Sequence, residues 1–204
     1  MNRIEYAAKA SRTLPDLGNI LNQLTDNGIT VAQGEIYKKV SDKLNLSHMM
    51  LGLSSEIGEL VNCTGTELKN KIDIPNLREE LGDLEWYLAN YCNLRDITPP
   101  IELDRNQISE DRCFELLISS VGELVNVVKR FVAYDKEIDK SVELTHVYDV
   151  YTALDLFQKV YQLDGSEIRD INIAKLVKRY PKFFSNEQAL NRDLTAERNI
   201  LEGN

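Results

Sequence analysis

At 204 residues the chain suits one ordinary domain, or two small ones, and can bury a core without disulfide or metal staples. Its 24 basic and 33 acidic residues leave a net charge of −9, which argues against nonspecific attraction to nucleic acid or to an anionic membrane. Cys63, Cys92 and Cys113 stand apart, without CxxC spacing, and suggest neither a disulfide framework nor a structural zinc site.

The amino-terminal residues carry charges throughout, and no apolar run reaches the roughly 18 residues a spanning helix needs. The expectation is a soluble, cytoplasmic protein in reducing surroundings. Apolar residues recur mostly at spacings of three and four, the period of amphipathic helices, so the predicted fold is an all-α bundle. In chain order, helices are predicted over 3–13, 17–27, 31–43, 47–64, 76–93, 110–134, 141–162, 166–179 and 186–201. Punctuation supports several ends: Asp73 and Pro75 before one helix, Pro99 and Pro100 after it, Asp164 to Ser166 before another, and Pro181 beyond that.

Pro99 and Pro100 mark the best internal boundary, and a sequence echo crosses it. Residues 53–62, LSSEIGELVN, align without a gap on 117–126, LISSVGELVN. With a two-residue insertion, Glu80 and Asp83 fall beside His146 and Asp149. The chain therefore reads as a single all-α domain with a first hairpin over 47–95, a second and degenerate hairpin over 97–163, and a carboxy-terminal segment over 166–204. The plainer alternative is that 97–163 is an inserted helical lid. The second copy keeps Glu123 and Asp149 but has Ser120 and His146 in place of Glu56 and Glu80, so one complete acidic site per chain is expected.

Glu56 and Glu59 are three apart on one predicted helix, and Glu80 and Asp83 are three apart on the next, so each pair projects to one side. Leu77, Leu81, Leu84 and Leu88 form the apolar stripe of the second helix, with Glu80 at its edge and Asp83 a little further round. Met50, Leu53, Ile57 and Leu60 form the stripe of the first, with Glu56 near its edge and Glu59 further toward solvent. Four carboxylates brought together raise one another's pKa unless a multivalent cation offsets their charge. An all-oxygen donor set suits Mg²⁺, or Mn²⁺ as a substitute, rather than zinc. Ferritin-like iron sites use Glu-x-x-His, and none of Glu56, Glu59 and Glu80 is followed by a histidine at that spacing. Acidic pairs at this spacing are also common as surface decoration, and spacing alone does not separate the two readings. Gly58 and Gly82, inside the acidic motifs, suggest close backbone approach, since glycine within a helix costs about 1 kcal/mol relative to alanine.

Asn172, Lys175 and Arg179 share one polar helical face before Pro181; a solvated basic helix end is the alternative reading. Lys71 and Arg78 flank the hairpin turn. Tyr87, four residues after Asp83, shares the acidic side; Trp86 points elsewhere, toward the core or a base. His48 precedes the acidic helix as a cap or surface residue, or near a base. Ser54 and Ser55 lack a His and Asp arrangement for nucleophilic chemistry, and no phosphate-cradling glycine loop occurs.

The runs LGLSSEIGEL at 51–60 and LREELGDLEWYL at 77–88 resemble the ExxE and ExxD signature of MazG-like nucleoside triphosphate pyrophosphohydrolases. Glu5 and Tyr6 with Arg12 and Thr13 resemble that family's amino-terminal segment; the stretch from Asn172 to Pro181 with Phe184 resembles its carboxy-terminal one. The resemblance covers about 3–95 and 167–200, the intervening seventy or so residues being extra. It implies that Glu56, Glu59, Glu80 and Asp83 bind Mg²⁺, with Glu56 or Glu59 helping to activate water. It also implies that Lys175 and Arg179 hold phosphate oxygens, with Asn172 as an amide donor; from their placement alone, Tyr87 and Trp86 are further substrate-contact candidates and Lys71 and Arg78 weaker phosphate candidates. Family hairpins commonly pack as dimers, so the second hairpin would supply an internal pseudo-dimer, with homo-oligomers still open. The expected substrate is a nucleoside triphosphate, with no nucleic acid or membrane partner. Two alternatives stand beside it: hydrolysis of an alarmone or other pyrophosphate-containing nucleotide, and a non-catalytic helical interaction protein.

Overall fold

The computed structural model describes residues 1–15, 31–64, 72–101 and 112–202, with 31–35 as backbone only. Among the described residues there is no strand, and the all-α expectation holds. The helices are α1 (Arg3–Ala10), α2 (Val31–Thr64), α3 (Ile74–Arg95), α4 (Cys113–Tyr134), α5 (Lys140–Val160), α6 (Gly165–Arg179), α7 (Asn186–Leu190) and α8 (Leu194–Glu202). A 3₁₀ turn, Ser11–Thr13, follows α1. None of these helices is long and apolar enough to cross a membrane. The helix expected over 17–27 lies outside the described residues.

Short polar side chains set the helix starts. Asn2 accepts from the Glu5 amide while Glu5 reaches back to the Asn2 amide, a complete capping box for α1. Asp73, Asp139 and Asp164 accept from first-turn amides of α3, α5 and α6. At the other ends, Asp96 and Asp135 take the left-handed conformation that closes α3 and α4, with φ of 53° and 54°.

Two boundaries differ from the sequence reading. The helices expected over 31–43 and 47–64 are one continuous helix, α2, because no proline or glycine interrupts 44–46 and Leu46 is buried like its neighbours Met49 and Met50. The helix expected over 186–201 is instead two short ones, α7 and α8, separated at Asn191–Asp193.

Helices α2 and α3 pack as an antiparallel hairpin, with Gly52 against Tyr87 at one level and Glu56 against Glu80 nearer the turn. Helices α4 and α5 form the second hairpin, α2 lies against α4, and α3 against α5. Leu53, Leu60, Leu77, Leu81, Leu84 and Leu88 are fully buried between the first pair, as their spacing predicts. The echo positions Leu117, Val121 and Leu124 are buried in the same register on α4. Helices α1 and α6 cover α3. There Arg3, Arg169 and Glu85 form a buried charge group together with Asp155, and Gln158 also donates to Glu85. This packing pins α6 along α3 and so sets the basic side chains of α6 beside the acidic ones of α3.

Candidate metal centre

The first hairpin brings Glu56, Glu59 and Glu80 together, each offering a carboxylate oxygen within 4.8 Å of the others. Among the described residues this is the one such group of metal-ligating side chains. Glu80 comes from the stripe edge of α3 and is buried, Glu56 is half-buried, and Glu59 is exposed, in the order the helical spacing implies. Burial of Glu80 distinguishes this group from surface decoration, since an isolated carboxylate is rarely taken out of water without a partner.

Burial, its hydrogen bond to Glu56 and the nearby Asp83 charge push the Glu80 carboxyl up to about 9. Burial first, and then the Asp83 charge, push Glu56 up to about 7, although its bond to Glu80 acts the other way. The two carboxyls therefore share a proton near neutral pH in the absence of a cation. Glu80 Oε2 is buried without any hydrogen-bond partner. Three clustered glutamates, one with a buried oxygen that lacks a partner, are an all-oxygen set that fits a hard divalent cation.

Asp83 stands at the margin of this trio, turned toward α6. Lys175 Nζ lies 2.8 and 2.6 Å from its two oxygens, and Asn172 Nδ2 donates to Oδ1 at 2.6 Å. Lys175 is completely buried and also reaches Glu79 Oε1 at 3.1 Å. Burial alone would lower its pKa, but the Asp83 and Glu79 carboxylates outweigh that effect and the net shift is upward. Asn172 is in turn fixed by Tyr6, whose hydroxyl is shared between Asn172 Oδ1 at 2.8 Å and the Gly82 carbonyl at 3.0 Å. A side chain at position 82 would meet the Asn172 amide at 3.0 Å, so Gly82 has the close approach its place in the motif suggests. Gly58 does not: open space surrounds it. Gly52, which spacing did not single out, is the tighter position, because the Tyr87 ring occupies the place of its missing Cβ.

The other residues named from the sequence fall as follows. Tyr87 borders the acidic group, packed edge-on against both His48 and Trp86, and its hydroxyl is pushed up to about 12 by burial and by the Glu56 and Asp83 charges. Trp86 turns away: it is buried, with Nε1 donating to Thr13 Oγ1 at 2.9 Å, which is the core alternative. The His48 ring is lowered in pKa by burial, and its Nδ1 is buried without a partner. The three α6 residues do not present one solvated face. Asn172 and Lys175 are buried against α3, whereas Arg179 pairs with Glu197 of α8 at 2.8 and 2.6 Å. Arg78 is 3.7 Å from Glu167, and Lys71 lies outside the described residues. In the second hairpin Ser120 is buried and Glu123 exposed, with His146 and Asp149 half-buried.

Sequence reasoning missed Glu79, Arg192 and Glu197, which join the acidic side to the carboxy-terminal helices. Arg192 reaches Glu197 Oε2 at 2.7 Å and Glu79 Oε1 at 3.7 Å. The Glu79 signal was present, since it precedes Asp83 by four residues and so shares its helical side. Arg192 and Glu197 sit in a polar stretch whose pattern gives no partner. Comparison with protein families, with curated proteins and with solved structures finds no match for this chain.

Proposed function

We propose that the chain is a Mg²⁺-dependent nucleoside triphosphate pyrophosphohydrolase, cleaving between the α and β phosphates to give a nucleoside monophosphate and pyrophosphate. The observation that carries this reading is the convergence of Glu56, Glu59 and Glu80 from two facing helices, with one Glu80 oxygen buried and unpartnered. The ExxE and ExxD resemblance supplies the reaction class. Glu56, Glu59 and Glu80 would hold the cation, with Asp83 joining when Lys175 yields it. Mg²⁺ there would supply Lewis-acid polarisation of phosphate oxygens, offset the substrate's negative charge and acidify a water.

The chain's own side chains do the rest. Glu56 or Glu59 would accept or relay the proton of the attacking water. Lys175 bridges Asp83 at 2.6 Å and Glu79 at 3.1 Å and would offer a buried positive charge beside the acids to a phosphate oxygen. In this reading the second hairpin takes the place of a partner chain and contributes packing rather than a second metal site.

The test is a hydrolysis panel over ribo- and deoxyribonucleoside triphosphates and guanosine tetraphosphate with Mg²⁺, with products identified. Pyrophosphate and monophosphate are expected. Orthophosphate as the first product would refute α–β cleavage, and turnover of the tetraphosphate alone would move the substrate to the alarmone class.

A further inference from the structure

Helix α2 carries a second stripe besides the one it buries against α3. Val40, Leu44, Ser47, Leu51, Ser54 and Gly58 recur at alternating spacings of four and three, the 3.5-residue repeat of a helix that packs lengthwise on another. Five of the six are exposed and Ser47 is half-buried. Leu51 is 71 % exposed, and open space surrounds Gly58. Beside Leu51, between α2 and α4, lies a cavity of about 310 Å³ walled by Met50, Val125, Val128 and Val132. A large apolar side chain standing in water next to an apolar cavity marks a surface that gains from being covered.

The order of large and small residues along the stripe suits a copy of itself. When α2 is laid antiparallel on a second α2, about a two-fold axis between Ser47 and Leu51, Leu51 meets Ser47, Leu44 meets Ser54 and Val40 meets Gly58. Each bulky side chain then faces a small one. A parallel pairing in register would set leucine on leucine and leave gaps at the serines and at Gly58. Charge favours the same direction. Residues 36–47 hold Lys38, Lys39 and Lys43 against Asp42, and residues 51–62 hold only Glu56 and Glu59. Asp135 pairs with both Lys39 and Lys43, which still leaves the first end basic and the second acidic. Antiparallel packing lays opposite ends together.

We propose that a second copy of this chain docks on this face, α2 antiparallel to α2, with each Leu51 entering the cavity between α2 and α4 of the other copy. This surface is separate from the packing of the second hairpin on the first within one chain. The proposal does not depend on the nucleotide reading.

Light scattering on the full chain, with circular dichroism as the check on folding, tests it. The 23.3 kDa chain is expected to run as a dimer at micromolar concentration. Leu51→Glu should keep its helicity and raise the dimer dissociation constant at least about a hundredfold, since one carboxylate from each copy enters an apolar seam. Leu44→Glu should also dissociate the dimer, and adding Ser54→Lys should restore it, because position 44 of one copy faces position 54 of the other in this register. A dimer that survives Leu51→Glu, or a Leu44→Glu chain that stays monomeric with Ser54→Lys, overturns the proposal. So does a wild-type monomer at every concentration: if Leu51→Glu then lowers its melting temperature, the chain's own residues cover this face, and if not, nothing does. Should Leu51→Glu not fold, the pair at 44 and 54 decides.

Discussion

Lys175 Nζ sits 2.6 Å from Asp83 Oδ2 in a fully buried position, so the ammonium of α6 lies where the fourth acid of the motif would otherwise face its three companions. The ion pair explains why Glu56, Glu59 and Glu80 form the tight group while Asp83 stands aside. Lys175 also reaches Glu79, which Arg192 approaches from the other side at 3.7 Å.

Removing the Lys175 ammonium leaves Asp83 with only the Asn172 amide and Glu79 with only the more distant Arg192. Lys175→Met is expected to destabilise the protein by about 3 kcal/mol, the usual result of breaking a buried pair on one side. Urea denaturation at neutral pH measures it, and a loss below about 1 kcal/mol would mean that water reaches Asp83 freely.

The acidic group makes metal-free stability depend on pH in a defined direction. Glu56 and Glu80 bind protons more tightly in the folded chain, at about 7 and about 9, than at the ordinary glutamate value of 4.5. The native state therefore holds more protons than the unfolded state between these values, and stability falls as pH rises. Their contribution is fully present below 4.5 and is lost progressively as pH rises through about 7 and then about 9. Denaturation midpoints from pH 5 to 9 should slope downward, and Glu80→Gln should flatten the slope; an unchanged slope in that variant would contradict the assignment.

A divalent cation should relieve the same repulsion. At one hundred times its dissociation constant, Mn²⁺ or Mg²⁺ stabilises a single-site protein by about 2.7 kcal/mol through mass action. Thermal melts should shift upward with the cation in the wild-type chain and shift little in Glu80→Gln. Equal shifts in both would place the cation elsewhere.

The glycines of the first hairpin should separate sharply. Gly58→Ala enters open space and should stabilise α2 by up to about 1 kcal/mol. Gly52→Ala would put a methyl group 2.1 Å from Tyr87 Cε1, and the displaced ring should cost about 1–3 kcal/mol. Chemical denaturation of the two variants reads both signs.

Much of this arrangement is legible in the sequence because it depends on helical period. Leu77, Leu81, Leu84 and Leu88 give the buried face of α3, and the same spacing puts Glu80 at its edge and Glu59 toward solvent. The period cannot show how one helix is rotated against another at a distant point in the chain. The contact of Lys175 with Asp83, the Tyr6 bond to Asn172 and the Arg192 link to Glu79 therefore appear only in the packed structure. The break expected between 43 and 47 had no proline or glycine behind it, and α2 runs through. Glu197 was hidden for another reason: a glutamate in a polar stretch gives no sign that two arginines will bury it.

The central claim is that the carboxylates around Glu80 form the working metal site of a pyrophosphohydrolase. The most direct measurement is pyrophosphate release from nucleoside triphosphates with Mg²⁺ titrated, in the wild-type chain and in Glu80→Gln. Release that depends on Mg²⁺ and falls by at least about a hundredfold in the variant is the expected result, equivalent to roughly 2.7 kcal/mol of transition-state stabilisation. Release that needs no Mg²⁺, or that persists undiminished in Glu80→Gln, would contradict it.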